Sequence, residues 1–199
     1  QQDYVYCYLS YSGYKAGEKM MKGFWEEVEN LGVEPNPYRA GFLQLVAVSE
    51  TDEKAKEYAP YIEYFFNKCL HIPDYFTTPP GYRTKKTVKA GLSGAHWSAN
   101  RQREGKYTWK DYIEKGNVIV GSPSTVTEKL RDAITKLRVG HMMLLCQFGD
   151  MPKELTNQNT ALFAQEVMPN LRDIWKDYED HWWPKPISEN DRVYPDRKA

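Results

Sequence analysis

The chain has no net charge to speak of: 27 lysines and arginines balance 27 aspartates and glutamates. A balanced surface offers no global field to draw in nucleic acid or anionic lipid, so neither is an expected partner. No apolar run is long enough to span a bilayer, and no secretory signal pattern is present. Cysteine is scarce, with three residues at positions 7, 69 and 146. An odd set without metal-ligand spacing excludes a complete disulfide framework and a thiolate zinc site, and points to a reduced, cytoplasmic compartment. Of the four histidines, no two have metal-ligand spacing.

The 199 residues suffice for one domain with a sizeable core. Residues 4–9, rich in tyrosine and valine, read as a short buried strand. A helix is expected over 16–31, with Met21, Phe24, Val28 and Leu31 on one face and Gly32 as its cap. Residues 42–48 (FLQLVAV) are almost continuously apolar, as in a parallel strand covered on both faces. Thr51 is placed to cap a following helix whose first turn carries Asp52 and Glu53, and Pro60 should kink or restart it.

Residues 71–106 break this rhythm with seven prolines and glycines and little periodicity, which reads as a lid or insertion. Regular structure resumes near Trp109. A strand over 118–120 leads into a helix capped by Ser122, with Pro123 at its first position and Val126, Leu130, Ile134 and Leu137 inward. Residues 141–146 form the last strand. A final helix buries Phe163, Val167, Leu171 and Ile174, with a bend at Pro169, and 182–199 reads as an extended tail. Four strands, each followed by a helix, argue for a parallel sheet with right-handed crossovers. Four strands cannot close a barrel, which usually takes about 250 residues. The chain is therefore half of a barrel or a small open sheet, and an open half would leave one face and two edges bare.

Four segments share wording with one family. LVAVSETDEKA (45–55), PPGYRTKK (79–86), GSPSTV (121–126) and QFGDMPKELTNQNTALFAQEVMP (147–169) stand in the order in which they occur there. On these the chain resembles the luciferase-like flavin monooxygenases, over the C-terminal half of such an enzyme. The resemblance implies the C-terminal half of a TIM-type (β/α)8 barrel in one domain over 1–199. It also implies reduced FMN as cofactor, with deazaflavin F420 possible, and oxidation of a small organic substrate by O2. The abrupt start QQDYVYCYLSY, without methionine, fits a chain cut from something longer, whose missing N-terminal half, or a second copy, would be its partner. A non-catalytic barrel scaffold or binding module is the alternative from another class.

The flavin carries the hard chemistry in such enzymes, so few acid or base groups are required of the protein, and no catalytic residue is assigned. Barrel sites lie at the C-terminal ends of the strands. The resemblance places Ser10, Tyr11, Gln147 and Phe148 against the flavin, and Tyr82 and Arg83 in the lid over the substrate, where a guanidinium could clamp an anion. Leu43 and Leu45 stand where sulfonate-oxidising relatives carry arginine and histidine, which argues against that chemistry. Gly121–Ser122, at a helix N-terminus, could hold an anion, although a capped helix start is the commoner role for such a pair. His141 is expected to be structural. His71 and His96 belong to the lid region or its flank, and His181 to surface packing beside Trp182.

Overall fold

The computed structural model describes residues 4–9, 11–70, 85 and 107–182. The expected lid over 71–106, apart from Lys85, and the tail beyond Trp182 lie outside the described residues.

Four strands form one parallel sheet: β1 (Tyr6–Tyr8), β2 (Ala40–Val48), β3 (Val118–Gly121) and β4 (His141–Leu145). Every one of the other three pairs with β2. Gly41 has Cys7 on one side and His141 on the other, and Leu45 has Val118 on one side and Leu145 on the other. β4 therefore runs along one edge of β2, while β1 and β3 follow one another along the opposite edge. Consecutive strands of a barrel would pair in sequence order; here β2 is the hub. This explains why β2 is apolar at eight of nine positions and buried at all but Leu43: it has strands on both edges and helices on both faces.

The junction between β1 and β3 is tight. Tyr14 N–H donates to Gly116 O at 3.2 Å, and a Cβ on Gly13 would lie 2.1 Å from that oxygen. Gly13 also has φ +81, so only glycine serves there. Gln44, wholly buried, closes the gap left along β2, its Nε2 donating to the carbonyls of Asn117 at 3.1 Å and Gly116 at 3.3 Å.

One face of the sheet is covered by α1 (Tyr14–Asn30), by the helix that follows β3, and by a turn near the C-terminus. The inward stripe of α1 is Tyr14, Gly17, Met21, Trp25 and Val28. This corrects the expected stripe: Phe24 is half-buried and Leu31 is 62% exposed. Trp25 is drawn in because its Nε1 donates to Leu137 O at 2.9 Å, tying α1 to the neighbouring helix. The opposite face is covered by a 3-10 turn (Lys54–Tyr58), α2 (Ala59–Tyr64), a π-helical turn (Phe65–Cys69) and α3 (Trp109–Glu114). Thr51 Oγ1 accepts from Lys54 N–H at 3.1 Å, but the element begins only at Lys54, as a 3-10 turn, so Asp52 and Glu53 precede it instead of filling its first turn; Pro60 opens α2, as the sequence indicates. Helices therefore lie on both faces, so the bare inner face expected of an open half-barrel is absent among the described residues.

β3 leads into α4 (Pro123–Leu137), and β4 into α5 (Lys153–Leu162). α5 loosens into a π-helical turn (Phe163–Val167) and then a 3-10 turn (Met168–Leu171) around Pro169, the expected bend. Of its expected core residues only Val167 is fully buried; Phe163, Leu171 and Ile174 are half-buried. No helix among the described residues is long and apolar enough to cross a membrane.

Candidate functional site

The C-terminal ends of β2, β3 and β4 converge, and Ser49 N–H donates to Gly121 O at 3.0 Å to extend the ladder there. Tyr11, three residues past the end of β1 and held to Asn117 just before β3, and Phe148, three residues past the end of β4, both contact Phe65. The Tyr11 ring stands edge-on to Phe65 with centroids 5.7 Å apart, and the Phe65 and Phe148 centroids are 6.3 Å apart. Phe65 in turn contacts Phe66, which stacks on Tyr112 at 4.3 Å. An aromatic wall thus runs from the exposed Tyr11 into the core.

The sequence-predicted residues divide along this wall. Tyr11 is 36% exposed, and its carbonyl accepts from Asn117 Nδ2 at 2.9 Å, so the loop is held while the ring faces outward. Phe148 is 1% exposed and belongs to the core under the wall; in this conformation it backs Phe65 instead of facing a ligand. Gln147 is exposed and donates to Gly149 O at 3.2 Å. Ser10, Tyr82 and Arg83 lie outside the described residues, as do His71 and His96.

The helix N-terminus at Gly121–Ser122 is already filled. Asp52 Oδ1 accepts from Ser122 N–H at 2.7 Å, and Oδ2 accepts from Thr125 Oγ1 at 3.0 Å. The Ser122 N–H bond, above all, holds the Asp52 carboxyl below the usual carboxylate range. Ser122 Oγ accepts from Thr125 N–H, so this end of α4 is a capped helix start with an internal carboxylate where an anion would otherwise sit.

Other polar groups here are spent on structure. Asn159, fully buried, takes Val48 N–H at 2.7 Å with its Oδ1, and its Nδ2 donates to Cys146 O at 2.7 Å and Val46 O at 3.1 Å. It bridges β2 and β4 where their own pairing stops. Tyr58 donates to Val48 O at 2.9 Å, and its hydroxyl is pushed far up by burial and the nearby Glu57 charge, so it stays protonated. Burial also pushes the Cys146 thiol up, which suppresses the thiolate a nucleophile needs. Ser49 Oγ donates to Glu57 Oε1 at 2.9 Å. His141 opens β4, at the far end of the sheet, beside Tyr38 and 3.8 Å from Asp180. His181 packs against the Trp182 ring. No group of three histidine, cysteine or acidic side chains among the described residues could hold a metal.

Sequence reasoning missed Asn159, Asp52 and Phe65 as site residues. Asn159 carried a signal, since it lies one helical step before Phe163 on the inward stripe, where an amide needs a partner. Phe65 was visible only as part of an apolar run.

No family model matches the chain, and no curated protein does. Solved structures similar to it include the monooxygenase RslO1 from Streptomyces bottropensis, 15% identical, with a TM-score of 0.48. The match covers 82% of this chain and 40% of that one. Another is a type II Baeyer–Villiger monooxygenase in complex with FMN, the oxygenating constituent of 3,6-diketocamphane monooxygenase from the CAM plasmid of Pseudomonas putida. It is 20% identical over 82% of this chain and 42% of that one, with a TM-score of 0.47. Apo-MsnO8 is 14% identical over 81% of this chain and 44% of its own, with a TM-score of 0.43. The chain thus spans well under half the length of each of these structures.

Proposed function

We propose that the chain is the C-terminal portion of a flavin-dependent monooxygenase that oxidises a small organic substrate with reduced FMN and O2. The observation that carries this reading is that Tyr11, past the C-terminal end of β1, and Phe148, past that of β4, both pack on Phe65. These are two residues that the sequence resemblance assigns to the flavin, from opposite ends of the chain. The ring of a flavin needs a flat apolar partner, and Tyr11, exposed and backed by Phe65, fits that requirement. Bound there, the flavin would supply the redox chemistry with O2.

The chain's own part is to position and to keep water out. Tyr11 offers the stacking surface, Phe65 and Phe148 make the wall behind it dry, and Gln147 offers an amide to a polar edge. Ser10 is assigned beside Tyr11, and Tyr82 and Arg83 over the substrate, on the resemblance alone. The described residues do not fit the flavin phosphate, because Asp52 fills the N-terminus of α4. The reading therefore requires the phosphate to be held elsewhere, by further chain or by a second copy. A reducing, cytoplasmic setting goes with it.

Comparing FMN with riboflavin tests the reading. If the chain holds only the ring, the two bind with dissociation constants within about twofold of each other, both weakened by about the same factor, up to about tenfold, by Tyr11→Ala, the usual scale of one aromatic contact. Saturation-transfer NMR reads both. Binding indifferent to Tyr11 would refute the assignment. Asp52 at the helix start favours one other reading, a barrel scaffold that holds no flavin, for which neither compound binds.

A further inference from the structure

A cleft of about 540 Å³ lies between β4, the C-terminal end of α4 and the irregular segment after α5. It opens on the sheet face away from Phe65 and Phe148, so it is separate from the candidate flavin site. Its volume is in the range of small-molecule sites, about 300–1,000 Å³. Met142 and Leu144 form the floor, and Ile134, Phe163, Leu171 and Trp175 the walls.

Two polar side chains interrupt this apolar lining, Arg172 and Tyr38. Arg172 is exposed and makes no ion pair among the described residues. The neighbouring Asp173 is committed to Arg131, at 2.6 and 3.0 Å. Asp180, the acid near Tyr38, faces His141 instead. The one cation on the cleft wall is therefore available.

The backbone around the cleft is also unusual. Phe163 comes from a π-helical turn, and Trp175 has φ +64, a left-handed conformation costly for a bulky residue. Trp175 is pinned there by its Nε1 donating to Val139 O at 2.9 Å. Both features bring a large ring to the cleft, and departures of this kind concentrate at ligand sites.

We propose that this cleft binds a small amphipathic carboxylate, its aliphatic body on the Met142–Leu144 floor and its carboxylate on Arg172. A lone guanidinium fork suits a planar carboxylate, which it can meet with two parallel hydrogen bonds; a phosphate dianion would call for further donors. The apolar walls select an aliphatic body over a sugar or a nucleotide.

Calorimetric titration of the full chain with hexanoate, octanoate and decanoate, beside neutral 1-octanol, tests this. We expect one site whose affinity rises about tenfold for each two methylenes. Arg172→Ala should weaken decanoate about tenfold or more and leave 1-octanol unchanged. Leu144→Trp should abolish both by filling the floor; if its melting temperature shows misfolding, Leu171→Trp at the wall serves instead. Absence of saturable decanoate binding, equal affinity in Arg172→Ala, or binding that survives the tryptophan substitutions would overturn the proposal. Any of these results leaves the flavin reading untouched, since the two sites lie on opposite faces of the sheet.

Discussion

Replacing Asn159 with alanine should destabilise the protein more than any other single polar truncation near the strand ends. The side chain is fully buried and satisfies Val48 N–H, Val46 O and Cys146 O at 2.7, 3.1 and 2.7 Å. Truncation strands these groups away from water, at about 1–3 kcal/mol each, with the N–H near the upper end and the carbonyls, which have a second lone pair, near the lower. Together with the small cavity, a loss of about 5 kcal/mol or slightly more is expected, against a typical total stability of about 5–15 kcal/mol. With a urea slope of about 2 kcal/mol/M, the unfolding midpoint should fall by about 2.5 M. Asn159→Leu separates the causes: it restores volume but not hydrogen bonds, so it should remain within about 1 kcal/mol of alanine. A loss under about 1 kcal/mol in Asn159→Ala, or full rescue by leucine, would refute the bridging role.

Further outcomes follow from the same contacts. Asp52 has a folded-state pKa below its unfolded value, so its stabilisation is complete above the ordinary carboxylate pKa near 4 and fades as pH falls through the lower folded value. Melting temperatures of Asp52→Asn and wild type should therefore differ at neutral pH and converge below about pH 4; a constant gap down to pH 2 would contradict this. Gly13→Ala meets both a left-handed backbone and Gly116 O, and should cost several kcal/mol by urea unfolding, about 3 or more; a near-neutral result would mean the β1–β3 junction is looser than described. FMN should bind the isolated chain more weakly than about 100 μM, since the phosphate lacks its charge-assisted contacts; a micromolar constant by calorimetry would show a phosphate site that Asp52 does not block.

The element boundaries were legible because they rest on local chemistry. The apolar run around Val46, the Ser122–Pro123 helix start and the breaks at Pro60 and Pro169 are each written in a few adjacent residues. Strand order was not, because hydrogen bonds along the edges of β2 join segments that no local pattern links. The α1 stripe turned by one residue because Phe24 and Trp25 compete for the same side, and a distant carbonyl, Leu137 O, decides between them. That β2 is covered on both faces was legible in its apolar run, but not which elements supply each layer: the periodicity of Ile62 and Phe66 shows that a face is buried, not which side of the sheet buries it. In the candidate site, the sequence placed Tyr11 and Phe148 near the strand ends but could not show that one is exposed and the other sealed in.

The contacts around Asn67 bear on how freely this chain can vary. Asn67 Nδ2 donates to Tyr107 O at 3.0 Å, its Oδ1 accepts from Tyr112 OH at 2.7 Å, and Phe66 stacks on Tyr112. Residues 67 and 107, forty apart in sequence, are thus fastened at one point. The entropy of closing a loop between two such anchors grows with the logarithm of its length, and doubling it costs only about 0.6 kcal/mol. Closure entropy alone therefore sets little limit on the length of chain between Asn67 and Tyr107, so long as Asn67, Tyr107 and Tyr112 keep these contacts.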